Sequence, residues 1–139
     1  MKPRCMDYEV TWEGSFGWIA RFTGWVTPES AASVAMALTS DPRYDDLRYA
    51  IIDLTASPGH TFRRDDLHAV ANAMVQQIGA GLSNRNIIEI AIATDPRMLN
   101  FLQTYAALTT RPFHVFGTLA EAREWLASQT GTFRRLADL

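Results

Sequence analysis

Tyr49-Ala50-Ile51-Ile52-Asp53-Leu54-Thr55 runs directly into Ala56-Ser57-Pro58-Gly59-His60-Thr61. The first half is an unbroken apolar run, too short for a helix and carrying adjacent β-branched isoleucines. Such a run reads as a strand buried on both faces, in the middle of a parallel sheet. It ends in a carboxylate and a Ser-Pro-Gly turn, so the strand delivers Asp53, Thr55, Ser57 and His60 to one rim. Ligands of open α/β sheets sit beyond the carboxyl ends of the strands. A site is therefore expected beside this loop.

Upstream, Tyr8, Val10 and Trp12 alternate with Glu9, Thr11 and Glu13, the period of a half-buried strand. Glu13-Gly14-Ser15-Phe16-Gly17 reads as a turn and Trp18-Ile19-Ala20-Arg21-Phe22-Thr23 as the return strand of an antiparallel hairpin. The aromatic load of Trp12, Phe16, Trp18, Phe22 and Trp25 has two readings, a stacking platform or cross-strand packing. No basic residue interleaves beyond Arg21, which favours packing and core. Thr27-Pro28-Glu29 opens a helix, with threonine as cap and proline at the first helical position. Its stripe is Ala31, Val34, Ala35 and Leu38, and the alanines predict close packing on the sheet. Ser40-Asp41-Pro42-Arg43-Tyr44-Asp45-Asp46 reads as a polar, solvated connection.

Downstream, Thr61 is expected to cap a second helix. Leu67, Val70, Ala71, Met74, Val75 and Ile78 mark its stripe, and Gly79 its end. Gly79 and Gly81 follow a helix and precede none, which makes them a turn and not a dinucleotide fingerprint. Ile87-Ile88-Glu89-Ile90-Ala91-Ile92-Ala93 is a second buried strand in which Glu89 is discordant, because an interior carboxylate needs a partner. Thr94-Asp95-Pro96 caps a third helix with a stripe of Met98 or Leu99, Leu102, Tyr105 and Ala106. Phe113-His114-Val115-Phe116 is a short strand, and Thr118-Leu119-Ala120-Glu121 is a capping box for a last helix burying Leu119, Ala122, Trp125 and Leu126.

The pattern predicts an α/β fold: a single mixed, mostly parallel sheet of about five strands with four helices, in the order ββαβαβαβα. The first strand is antiparallel at or near an edge. One domain over residues 1–139 is expected, with a core of about 8–128 and peripheral tails 1–7 and 129–139. An apolar share of 47%, a charged share of 20% and a net charge of −2 are those of an ordinary soluble protein. They offer no electrostatic case for nucleic acid or an anionic membrane. Cys5 is the only cysteine, so an internal disulfide and a thiolate metal cage are both excluded. The N-terminal charges lack an apolar stretch behind them, and the apolar runs fall short of the ~20 residues a bilayer needs. Neither a signal peptide nor membrane insertion is expected; the cytoplasm is the default location.

Several of these segments together resemble the STAS group, the anti-sigma-factor-antagonist fold, and more closely its SpoIIAA-like or STAS/Sec14-like branch. The resemblance spans about residues 8–128 and rests on Thr27-Pro28-Glu29, Ser40-Asp41-Pro42-Arg43-Tyr44-Asp45, Ile51-Ile52-Asp53-Leu54-Thr55, and Val115-Phe116 followed by Leu119-Ala120-Glu121-Ala122-Arg123-Glu124-Trp125-Leu126. It implies a non-enzymatic regulatory or protein-interaction module with a protein partner, and a homodimer is among its expectations. Phospho-switched members carry an Asp-Ser-Ser-Gly-like turn at the second helix. Here the matching segment is Thr61-Phe62-Arg63-Arg64, which has no serine. Thr61 is the one candidate for a substitute phosphoacceptor, with Arg63 and Arg64 beside it, but capping is the stronger reading of this threonine.

Three constellations bear on chemistry. Asp53, Ser57 and His60 hold the ingredients of a nucleophile–base–orienter set, but all lie on one short stretch without a Gly-x-Ser-x-Gly elbow. His60, His68 and His114 lack the spacing of a metal motif. No catalytic residue, metal or cofactor is expected. The third is the rim, where helix N-termini beside the strand exits favour an anion or polar ligand. A crevice there is expected to draw on Trp25, Asp53, Ser57, His60, Thr61, Arg63, Arg64 and Asp95. Two functions follow: a partner-binding surface around the 56–64 loop, or a binding domain for a small apolar or amphipathic molecule. A hydrolase-like enzyme ranks third.

Overall fold

A computed structural model describes residues 8–14, 16–66, 68–69, 87–108 and 113–129. Five strands form one mixed sheet: β1 (Tyr8–Glu13), β2 (Gly17–Phe22), β3 (Tyr49–Asp53), β4 (Ile88–Ile92) and β5 (Phe113–Phe116). Their spatial order is the same as their order in sequence. The β1/β2 hairpin is antiparallel, and β2, β3, β4 and β5 are mutually parallel. The expected sheet is therefore present, with the antiparallel strand at one edge. The helices are α1 (Pro28–Thr39), α2 (described at 64–66 and 68–69), α3 (Pro96–Leu108) and α4 (Leu119–Ser128). The stripe of Leu67, Val70, Ala71, Met74, Val75 and Ile78, with Gly79 and Gly81, lies outside the described residues.

Alternation along the strands divides the core in two. Ile19, Ile51, Ile90 and Ile92 face α4 and pack with Ala122 and Leu126. The intervening residues Ala20, Ala50 and Ala91 face α1 and α3 and share a cluster with Val34, Leu38, Met98 and Leu102. Trp18 and Phe22, from the aromatic hairpin, lie in this second cluster, as core packing predicts. Trp12 is only half-buried, and the Arg43 guanidinium lies 4.1 Å from its ring centroid.

The connection after α1 departs from expectation. Pro42–Asp46 form a 3-10 helix, with the Asp41 carboxylate accepting from the Arg43 N–H at 2.9 Å. Tyr44 and Leu47 from this segment are buried in the core. Proline at the first turn and an aspartate cap favour the turn, and two apolar side chains pull an otherwise charged loop inward.

A polar knot ties the hairpin to the far side of the sheet. The Tyr49 hydroxyl donates to Glu13 Oε1 at 2.7 Å, and Arg123 of α4 donates to both oxygens of the same carboxylate. The Arg123 hydrogen bonds are the main influence holding the Glu13 carboxyl below its usual range, while burial, seconded by the Glu13 bond, pushes the Tyr49 phenol up to about 12. The Tyr49 ring lies across Gly17: a Cβ there would fall 2.2 Å from Tyr49 Cζ and Oη. Gly17→Ala is expected to cost about 1–3 kcal/mol through overpacking, read as a lower urea midpoint at unchanged slope.

Candidate functional site

The loop after β3 is held by its own backbone. Val26, between β2 and α1, forms a parallel bridge with His60. Its N–H donates to the Gly59 carbonyl, and the Thr61 N–H donates to its carbonyl, both at 2.9 Å. Gly59 has φ +153, and a Cβ there would lie 2.8 Å from the Trp25 ring. Only glycine fits this conformation beneath the indole. Trp25 itself stays 52% exposed.

Each side chain of the supposed catalytic set has other work. Asp53 Oδ1 accepts from the Thr55 N–H at 3.0 Å and the Thr55 hydroxyl at 2.7 Å. Its Oδ2 lies 3.4 Å from Arg21 Nε. Asp53 alternates in step with Ile51, so this carboxylate is on the α4 face of the sheet. The Ser57 hydroxyl donates to the Gly24 carbonyl at 2.8 Å and accepts from the Gly59 N–H at 3.3 Å. His60 Nδ1 accepts from the Phe62 N–H at 3.2 Å, and the imidazole stacks on Phe101 with centroids 4.3 Å apart. An accepting Nδ1 assigns the neutral ring with its proton on Nε2. Burial is the main cause lowering the His60 pKa, opposed by the charge of Asp95.

The remaining rim residues serve helix ends. Asp95 Oδ2 accepts from the Met98 N–H at 3.2 Å, the expected cap of α3. Thr27 and Ser30 exchange reciprocal bonds at the start of α1, and the Thr118 hydroxyl accepts from the Glu121 N–H at 3.1 Å. Thr61 was expected to cap the second helix, but helical backbone begins only at 64. The cap position belongs to Arg63, whose N–H donates to Asp66 Oδ2 at 2.9 Å. The bridge to Val26 holds Thr61 extended and delays the helix. Thr61, Arg63 and Arg64 are all exposed.

The best-formed cavity among the described residues lies elsewhere, between α1 and α3 on the alanine side of the sheet, and is partly open. This cavity is about 210 Å³. Ala50, Ile52, Ala91 and Glu89 form its floor, Ala31, Val34, Ala35 and Leu38 one wall, and Phe101, Leu102 and Tyr105 the other. Val26, Leu54 and Phe62 close the end nearest the rim. Alanines on the helix and on the strands facing it leave volume unfilled. The close helix–sheet packing predicted from those alanines is thus absent here: Val34 and Leu38 are buried, whereas Ala35 is exposed at the mouth. Met36, off the stripe as expected, is 70% exposed. Ala106, placed on the stripe of α3, is exposed as well.

Trp25, Ser57, His60, Thr61 and Asp95 are not among the cavity's lining residues; His60 reaches its edge by stacking on Phe101, which is one. Val26, Phe62 and Phe101 had no motif to announce them, whereas Tyr105 stood on the expected stripe of α3. Glu89 stood out too, as the discordant residue of a buried strand. The Tyr105 hydroxyl donates to Glu89 Oε1 at 3.2 Å, so α3 supplies a phenol as one partner of this carboxylate.

Among the described residues no helix is long and apolar enough to cross a membrane, and no three His, Cys, Asp or Glu side chains converge as a metal site. No protein-family model matches the chain, and no curated protein matches it in sequence. Solved structures do. An uncharacterised DUF3478-family protein with a SpoIIAA-like fold from Shewanella loihica PV-4 superposes with a TM-score of 0.57 at 19% identity, covering 91% of this chain and 98% of that one. The anti-sigma factor antagonist SpoIIAA in its unphosphorylated form gives 0.55 at 10% identity, covering 86% and 97%. The chain has the SpoIIAA-like fold.

Two measurements test the roles given to Asp53 and His60. Asp53→Ala should lose about 1–3 kcal/mol of stability, because the Thr55 N–H is left without its acceptor. Arg21→Ala should lose less than about 1 kcal/mol, since that partner is half exposed. For His60 the lowered pKa means that the folded chain prefers the neutral ring. Its contribution is complete above the ordinary value of 6.5 and is lost as pH falls below it. Melting temperature should therefore drop on acidification through 6.5, with a smaller drop in His60→Gln.

Proposed function

We propose that this chain is a non-enzymatic binding module whose site is the cavity between α1 and α3, and that its ligand is a small apolar or amphipathic molecule. One observation carries the reading: about 210 Å³ of space whose described lining is almost wholly apolar side chains of the sheet, α1 and α3. An apolar cavity of ~150 Å³ already takes benzene, whereas drug-sized ligands occupy roughly 300–1,000 Å³. The volume suits a single ring or a short alkyl chain. The polar groups of Asp53, Ser57 and His60 are committed to loop and strand-end bonds, which supports binding over catalysis. In this reading the module occupies the whole chain as one domain.

A second reading, recognition of a protein partner at the strand-exit rim, is favoured by Trp25. A large aromatic residue 52% exposed over a pinned glycine is the kind of anchor that interfaces use. Arg63, Arg64 and Thr61 lie along the same loop, and the name of the anti-sigma factor antagonist points to protein recognition by a chain of this fold.

Hexan-1-ol and benzene are suitable probes of the cavity. Either should raise the melting temperature in a concentration-dependent way, by about 2.7 kcal/mol of added stability at a hundredfold excess over its Kd. Ala91→Leu, which fills the floor, should weaken binding at least about tenfold, as should Ala35→Leu at the mouth. Full binding in both variants, with native circular dichroism, would place the probes elsewhere.

A further inference from the structure

One half-buried histidine is joined to three residues that line the rim end of the cavity. The His60 backbone forms the parallel bridge with Val26. Its Nδ1 accepts from the Phe62 N–H at 3.2 Å, and its ring stacks on Phe101 with centroids 4.3 Å apart. Phe62 and Phe101 lean on each other as well, with centroids 5.0 Å apart. Val26, Phe62 and Phe101 line the cavity, and His60 braces them from outside it.

The bond from Phe62 works in one charge state only. A neutral imidazole has one acceptor nitrogen, and an imidazolium has none because both nitrogens carry hydrogen. A proton on Nδ1 therefore ends the bond and sets two N–H groups against each other. The bridge to Val26 holds the His60 backbone, so the ring and Phe62 are what must move. A ring that turns away from the Phe62 N–H also leaves Phe101. Among the described residues, Asp95 at the head of α3 is the charge acting on this ring; it favours the imidazolium, whereas burial, the larger influence, opposes it. Trp25, Val26, Thr61 and Phe62, on the two connections that meet at the bridge, bear no charge.

We propose, resting on the cavity reading above, that His60 is a proton-operated latch: the neutral ring fastens Phe62 and Phe101 in the arrangement that binds an apolar ligand, and the imidazolium releases them. Ligand and proton are then antagonists, each weakening the binding of the other by the same factor. The folded chain holds His60 below its ordinary value of 6.5, so affinity is at full strength above 6.5 and declines as pH falls below it.

Calorimetry with hexan-1-ol at about pH 7.5 and about pH 5 spans the titration of a histidine. The wild-type protein should bind about fivefold or more weakly in acid, with unchanged far-ultraviolet circular dichroism. His60→Asn offers the Phe62 N–H a side-chain oxygen in Asx-turn geometry and has nothing to titrate, so its affinity should stay within about twofold over the same range. In a magnetic-resonance titration of the wild type, saturating hexan-1-ol should lower the proton affinity of the His60 ring by the factor that calorimetry reads; this stands as a test even if the variant does not fold. Equal affinity at both pH values, or tighter binding in acid, would overturn this inference and leave the cavity reading intact. An acid loss that persists in His60→Asn would also overturn it, because the proton would then act elsewhere, Glu89 in the cavity floor included. No binding at either pH would overturn both.

Discussion

Side chains alternate across the two central strands, and the rest of the molecule follows from that alternation. On β3 and β4 the positions facing α4 are Tyr49, Ile51, Asp53, Ile88, Ile90 and Ile92, and those facing α1 and α3 are Ala50, Ile52, Glu89 and Ala91. Because the strand period is two, neither set can change faces without a register slip that would invert both. One side is thus packed with branched side chains and the other is under-filled. The helix over the under-filled side compounds this, since Ala31 and Ala35 of α1 also contribute little volume. A molecule that occupies this space removes apolar surface from water.

The rim illustrates the opposite economy. Asp53, Ser57, His60 and Asp95 place their polar atoms on nearby backbone groups and so build the loop rather than face solvent with chemistry in hand. The parallel bridge between Val26 and His60 extends the sheet one step past the strand ends and stitches two connections together. This stitching explains why α2 starts late and why Trp25 is left lying over Gly59. At the far end of the sheet, the Glu13–Tyr49–Arg123 knot joins β1, β3 and α4. The cavity therefore sits between two reinforced ends, on the face with the smaller side chains.

Much of the fold was legible because it depends on local signals. The run from Tyr49 to Asp53 announced a buried strand, Thr27-Pro28 announced the start of α1, and Asp95-Pro96 that of α3. The structure places each where the pattern did. The candidate site was legible only in part. Glu89 stood out because a carboxylate does not belong in an apolar run, but its partner Tyr105 comes from α3, sixteen residues on. The three polar residues of the loop looked reactive because residue type alone does not show which atoms are already bonded. Thr61 looked like a cap because a cap is a local signal, while the bridge that displaces it is not.

What the amino-acid order determined by itself was the set of elements, their sequence, and the two-faced character of each strand. These rest on periodicity and on the backbone preferences of proline, glycine and capping residues, which act over a few positions. The tertiary structure alone decided where empty volume would remain. A void is a property of opposed surfaces: Ala31 and Ala35 bring closeness if the helix settles onto the sheet, and a cavity if bulkier neighbours such as Trp18, Phe22, Phe62 and Phe101 hold it away. That balance is struck between residues far apart in the chain, and no local pattern records it.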